Sequence, residues 1–335
     1  VEVSKQMNKK ILGTIGVLAL FTLFAGVYET VDKQQKKAIP TVAVLQFMKH
    51  PALDAINKGI YEGLASEGFH KGKNIKILFE NAQGDQSNLK TMASKFDNAQ
   101  ADVSVGIATP AAVSLANTIT DRPVVFAAST TPIQSKLVKS YQHPGGNVTG
   151  VSDQAPLKSQ LKMMQTFLPH LKNLGVIYTS SDDSASIQAK QMMALAKKAG
   201  IQVKPYTISS SNDLNQTSKQ MVANHQVDAV FVPTDNTIAG AMPTLIDSTN
   251  AANVPVFPTV DTMVKDGGLA AESINQEELG IKTGKQVAQI LKGKKPKDMP
   301  VGFIKKGDLV INRAQLDKLG IKLPNKYNQQ AKFVK

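Results

Sequence analysis

Polar residues able to hold a small ligand recur at one kind of place in this sequence, just after short apolar runs rich in Val, Ile and Ala. Gln46, His50 and Pro51 follow Thr41–Leu45. Thr109-Pro110-Ala111 follows Val103–Ile107, and Ser129-Thr130-Thr131 follows Val124–Ala127. Further on, Thr179 to Ser184 follows Gly175–Tyr178, Asp235 and Asn236 follow Ala229–Val232, and Asp261-Thr262 follows the run that starts at Val254. Thr109-Pro110 reads as a helix start, with Thr as cap and Pro in the first turn. Free amides at such an end attract an anion, unless the pair is a cap and nothing more. Asp153, Asp235 and Asp261 can hold an ammonium group, and Asp235 can equally cap its own helix. His50 offers an imidazole to a ligand or stands as an ordinary polar loop residue.

Signatures of bond-making chemistry are missing. The chain has no GxSxG, GxxxxGK[ST] or GxGxxG segment. It has no cysteine, which excludes cysteine nucleophiles, thiolate zinc sites and iron–sulfur clusters. Its five histidines lie far apart, with no HExxH run, so neither a metal nor a cofactor is expected. Paired carboxylates of the glycosidase kind need no signature and stay open as an enzyme reading. Aromatics make up 5% of the chain and Trp is absent, which argues against a sugar site.

The elements that must position these residues alternate. Strands are expected at Thr41–Leu45, Ile75–Phe79, Val103–Ile107 and Val124–Ala127. A second set follows at Gly175–Tyr178, Val203–Tyr206, Ala229–Val232 and Val254–Phe257. Helical periodicity lies between them: Leu53, Ile56, Ile60 and Leu64 share one face, as do Leu157, Leu161, Met164 and Leu168. This pattern predicts parallel sheets built from right-handed crossovers, in two lobes. The division between them falls near the glycine-rich stretch 145–150, which reads as a flexible connection or tight turns. A strand over Leu269–Ser273, a helix over Gln276–Leu291, strand-like Val301–Lys305 and Leu309–Asn312, and a helix over Arg313–Leu319 complete the chain.

The 335 residues suffice for two domains, and 42% hydrophobic residues suffice for their cores. The net charge of +13 is uneven: residues 38–280 are close to neutral, whereas residues 281–335 carry 14 basic residues against three acids. The excess is nearly all Lys, with Arg only at 122 and 313, so nucleic acid is not expected as a partner. At the start, Lys5, Lys9 and Lys10 precede an uncharged run from Ile11 to Tyr28. That is the layout of a secretory signal, and the run is just long enough to span a bilayer as a helix. It reads as a membrane anchor with its positive end inside, or as a signal cleaved near Ala25. Val27 stands where a lipoprotein would carry its lipidated Cys.

Several of these segments resemble the extracytoplasmic substrate-binding proteins of ABC importers, in the branch of tryptophan- and phenylalanine-binding lipoproteins. They are His50-Pro51-Ala52-Leu53-Asp54 with Gly59 and Gly63, then Ala82-Gln83-Gly84-Asp85, Thr109-Pro110-Ala111, the stretch from Pro144 to Ser152, and Pro233-Thr234-Asp235-Asn236. The resemblance implies an α/β type I periplasmic-binding-protein fold, two Rossmann-like lobes joined by a three-segment hinge with crossings near Val151, Ser273 and Pro300. It implies a signal or anchor segment over 1–37, an N-terminal lobe of 38–151 with 274–299, a C-terminal lobe of 152–273 with 300–325, and a tail over 326–335. A monomeric protein outside the cytoplasm would then pass a small ligand to a permease and ATPase by hinge closure. The implied ligand is an amino acid, by family an aromatic one such as tryptophan or phenylalanine. Its carboxylate would meet Thr109, Pro110, Ala111, Ser129 and Thr130. Its ammonium would meet Asp153 or Asp235, and its side chain would lie near Gln46 and His50; Ser184, Asn236 and Asp261 complete the expected site. The alternatives are a membrane-tethered hydrolase and a sensing ectodomain.

Overall fold

The structure, a computed structural model, describes residues 39–304 and 307–334. The expected N-terminal apolar helix lies outside the described residues. From Pro40 onward the chain forms one compact unit.

The first sheet collects β1 (Thr41–Gln46), β2 (Lys76–Asn81), β3 (Val103–Ile107), β4 (Val124–Ala127), β5 (Val148–Ser152) and β11 (Gly302–Phe303). Its order is β11-β5-β4-β3-β1-β2 and every pair is parallel. β3, β4 and β5 are buried along their whole length, as expected for strands covered on both faces, whereas the edge strand β2 is half-exposed. Between them run α1 (Pro51–Ser66), α2 (Gln86–Asn98) and α3 (Thr109–Thr118). The face expected for α1 is the one it buries, Leu53, Ile56, Ile60 and Leu64.

After α4 (Leu157–Phe167) the second sheet takes β6 (Asn173–Thr179), β7 (Gln202–Ile208), β8 (Ala229–Phe231) and β9 (Val256–Phe257), parallel throughout in the order β7-β6-β8-β9. Its helices are α5 (Asp183–Lys198), α6 (Leu214–Val222), α7 (Asn236–Gly240), α8 (Met242–Ala251) and α9 (Asp261–Lys265). Alternation along β6 sends Val176 and Tyr178 into one core and Ile177 into the other, so the sheet is packed on both sides. A small third sheet, β10-β12-β13, is formed by β10 (Ala270–Ser273), β12 (Asp308–Asn312) and β13 (Ala331–Val334). α11 (Arg313–Leu319) lies between β12 and β13.

The chain returns to the first lobe through α10 (Gln276–Leu291), which packs along α1. The match is made by glycines on both helices. A Cβ on Gly59 would stand 2.2 Å from the Glu277 carbonyl oxygen, one on Gly63 2.2 Å from that of Ile281, and one on Gly284 2.2 Å from that of Ile60. The two backbones therefore touch directly, and Lys292 closes the far end on Glu67 at 2.7 Å.

Three sequence expectations change. The stretch 145–150 is not a loose division: residues 148–150 belong to β5, a buried strand of the first sheet. Gly150 is there because a Cβ would meet the Phe126 carbonyl oxygen at 2.1 Å, a close approach of backbones instead of the flexible connection or tight turn expected. Because β11 pairs with β5, residues 302–303 belong to the first sheet instead of the C-terminal lobe expected from 300 onward. The segment expected as a tail carries β13, paired with β12, and a buried Tyr327.

Candidate functional site

Ligands in doubly wound sheets bind beyond the carboxyl ends of the strands, where the strand order reverses. In the first sheet that point lies between β1 and β3, and in the second between β6 and β8. The loops leaving these four strands converge on one small cavity. His50 comes from the loop after β1, Thr109 and Pro110 from the start of α3, Asp182 and Ser184 from the start of α5, and Asp235 and Asn236 from the start of α7. Thr130 and Asp153 add the ends of β4 and β5, and Gln276 the start of α10. Ala52, Leu53, Ala239 and Val260 give it an apolar side.

The lobes meet across this cavity through direct hydrogen bonds. His50 Nε2 and Asn236 Oδ1 are 3.1 Å apart. Ser184 Oγ donates to Thr109 Oγ1 at 3.1 Å and lies 3.1 Å from Thr131 Oγ1, while Thr109 Oγ1 lies 3.1 Å from Ser129 Oγ. A chain of hydroxyls thus bridges the cleft, and the structure is a closed one. Outside Thr109 and Ser184 the cleft widens into a vestibule with Lys90 and Lys136 on one side, Ser181 and Asp183 on the other.

Three carboxylates reach the cavity, and among the described residues no lysine or arginine lines it. Asp235 caps α7: Ile238 N donates to it at 3.0 Å, and Thr179 donates twice, from N at 2.6 Å and from Oγ1 at 2.9 Å. Burial pushes its carboxyl above the usual range, and those hydrogen bonds work in the opposite direction. Asp182 caps α5 through one bond from Ala185 N at 3.0 Å. Burial, reinforced by the nearby Asp235 charge, pushes it up to about 7. Asp153 accepts from Thr130 Oγ1 at 2.9 Å and is pushed up to about 6 by burial. A cation placed here would reverse all three shifts. Burial lowers the pKa of His50, so its imidazole is neutral near pH 7.

Ala108 and Ala128, at the ends of β3 and β4, have φ of 73° and 59°. Such values are strained for a residue with a Cβ, and both alanines border the cavity. The turn at Ala108 makes it the cap residue of α3, so Thr109 is the first helical residue and not the cap expected from sequence; its hydroxyl is committed to Ser129 and Ser184.

Of the expected site residues, the structure brings His50, Thr109, Pro110, Thr130, Asp153, Ser184, Asp235 and Asn236 to the cavity wall. Gln46 does not line it: its amide donates to Met48 O and Asp54 Oδ1, both at 2.8 Å, and so shapes the loop that carries His50. Ala111 is buried behind the first turn of α3, and Ser129 supports Thr109 from behind. Asp261 faces Lys265 at 3.3 Å. Sequence reasoning missed Asp182, which its exposed neighbour Asp183 imitates, and Gln276, which only the return of α10 delivers. Among the described residues no cluster of His, Asp or Glu could hold a metal, and no helix is long and apolar enough to cross a membrane.

A family model described as ABC transporter substrate binding protein matches residues 41–335. A "Tyrosine-binding protein" of Clostridioides difficile (strain R20291) is 35% identical over 291 residues, which is 87% of this chain and 83% of the relative. A Streptococcus pneumoniae ABC domain solved in complex with L-Trp is 43% identical, covers 89% of this chain and all of its own, and superposes with a TM-score of 0.85. The ligand-free, open structure of a substrate binding protein with adhesive properties from Clostridium difficile is 34% identical over 89% of this chain and 99% of its own, with a TM-score of 0.70. The better superposition is on the complex, in keeping with the hydrogen bonds that join the two lobes here.

Proposed function

The chain belongs to the ABC transporter substrate-binding proteins, and from that premise we propose that it captures an aromatic amino acid such as tryptophan or tyrosine between its lobes and delivers it to a permease. The observation that carries the ligand class is the polarity of the cavity. Its carboxylates, Asp182, Asp235 and Asp153, face no cationic side chain among the described residues, and α3 starts on the other side at Thr109, where the N–H groups of Thr109 and Ala111 are free of intrahelical partners. A zwitterion fits both ends: its ammonium restores the charged state of Asp182 and Asp235, and its carboxylate meets the free amides at the start of α3. Asp235 already spends three hydrogen bonds on its own fold, so Asp182 is the main partner of the ammonium. The side chain then lies against Leu53, Ala239 and Val260.

Proteins of this family act outside the cytoplasm. The Lys-flanked run from Ile11 to Tyr28 suits a membrane tether, with the binding unit starting at Pro40 as a monomer. The test is calorimetric titration of residues 40–335 with the twenty amino acids, with mass spectrometry of the ligand afterwards. The S. pneumoniae relative matches 89% of this chain with all of its own, and the compact unit of this chain starts at Pro40. Binding of tryptophan or tyrosine with the ligand recovered intact is the expected result. No binding by any aromatic amino acid defeats the proposal, and a changed ligand makes the protein an enzyme.

A further inference from the structure

His50 is 6% exposed, and its two ring nitrogens have different fates. Nε2 meets Asn236 Oδ1 at 3.1 Å, so Nε2 carries the proton and Nδ1 is left with a bare lone pair. Nδ1 is buried and has no hydrogen-bond partner. Several buried side-chain polar atoms lack a partner among the described residues, but His50 is the one such residue on the cavity wall. It stands where that wall turns apolar, beside Ala52 and Leu53. A buried acceptor without a donor is costly in a folded protein, so its persistence at a ligand cavity calls for a donor on the ligand.

The ligand's main-chain groups do not supply that donor, because the ammonium is claimed by the aspartates. We propose that His50 Nδ1 accepts a hydrogen bond from a donor on the ligand's aromatic ring, the phenol O–H of tyrosine or the indole N–H of tryptophan, and thereby discriminates against phenylalanine. The assignment rests on the aromatic amino-acid reading above and specifies it. It also accounts for one chemical fact about the ligands named for the two relatives: tyrosine and tryptophan share a ring-borne donor that phenylalanine lacks. With phenylalanine in the site, Nδ1 would remain buried and unpaired, and sites built to bond a ligand hydroxyl reject the analogue without it strongly.

The test is the ratio of dissociation constants for tyrosine, tryptophan and phenylalanine on residues 40–335, measured by titration calorimetry. The unmodified protein should bind tyrosine and tryptophan more tightly than phenylalanine by about tenfold or more. His50→Leu should bring the three within about twofold of one another. His50→Gln keeps an amide able to reach Asn236 without an imidazole acceptor; it should also flatten the ratio, and it serves if the Leu variant does not fold. Asn236→Ala breaks the cross-cleft bond from the other lobe, so it should weaken all three ligands and preserve their ratio. An unmodified protein that binds phenylalanine as well as the others overturns the proposal, as does a ratio unchanged by both His50 substitutions. Preference for tyrosine alone overturns it too, because it would put the proton on Nδ1. If none of the three binds, the aromatic reading itself fails.

Discussion

Asp182 sits half-buried beside a second carboxylate, and only backbone amides at the start of α5, those of Ala185 and Ser184, support its charge. An ammonium bound there converts an unfavourable charge into an ion pair. Asp182→Asn should therefore weaken an amino-acid ligand by about 2 kcal/mol, roughly thirtyfold in Kd, measured by calorimetry at pH 8. An unchanged Kd would take the ammonium away from this residue. The same group sets a pH dependence whose sign is fixed. Asp182 rises to about 7 and Asp153 to about 6, each above the ordinary value near 4, and Asp235 moves the same way. The fold favours their neutral forms, so their contribution to stability is full below about pH 4 and is lost as pH rises through 6 and 7. Without ligand, the Tm of residues 40–335 should fall from pH 5 to pH 8 more steeply than that of Asp182→Asn. With ligand, the gain in Tm should grow over the same window, because the ammonium binds the ionised form. Parallel curves for the two proteins would show that Asp182 does not titrate there. Little of this was legible in sequence: Asp235 announced itself as a cap, but the pairing of Asp182 with Asp235 depends on two loops 50 residues apart meeting in space.

Among the elements, the strands and helices that carry the site were legible because their hydrophobic periods are strong. Buried β1 and β3 and the face of α1 are where those periods place them. What escaped were the features made by glycine, whose missing side chain leaves no pattern to read. Residues 145–150 looked like a linker, yet Gly150 lies inside β5 against Phe126. The α1–α10 seam is another case: Gly59 and Gly63 could be seen at helical spacing, but their partners Gly280 and Gly284 come more than 200 residues later. That seam holds the returning helix on the first lobe and so fixes Gln276 at the cavity. Gly63→Val should push backbone against backbone and destabilise the fold by about 3 kcal/mol or more, read as a fall in the urea midpoint. Gly146→Ala, at a position where a Cβ meets nothing within 4 Å, is the control and should leave the midpoint almost unchanged. Equal midpoints for the two variants would mean that the helices part without cost.

For the molecule as a whole, the question is what holds the two lobes closed. Among the described residues three hydrogen bonds cross the cleft, His50 to Asn236 and Ser184 to both Thr109 and Thr131. Each neutral bond contributes a net stabilisation of about 0.5–1.5 kcal/mol, so together they bias the hinge by a few kcal/mol. Inverting a hinge equilibrium from 1:99 to 99:1 takes about 5.5 kcal/mol, which a micromolar ligand, at about 8 kcal/mol, can supply if it contacts both lobes. The lobes' own contacts therefore set the resting position and the ligand decides the outcome. Ser184 takes part in two of the three bonds, so Ser184→Ala should move the ligand-free equilibrium toward the open form by about 1–2 kcal/mol, near tenfold. The absence of cysteine makes this measurable, since Lys90→Cys and Ser181→Cys place unique spin labels on opposite sides of the vestibule. Pulsed dipolar spectroscopy should show a long and a short distance without ligand and the short one alone at saturation. In the Ser184→Ala background the long distance should gain weight, and saturating ligand should still collect the population at the short one. A distance distribution that ignores ligand would mean that capture does not work by closure, and the hydroxyl chain across the cleft would then be a fixed part of the fold.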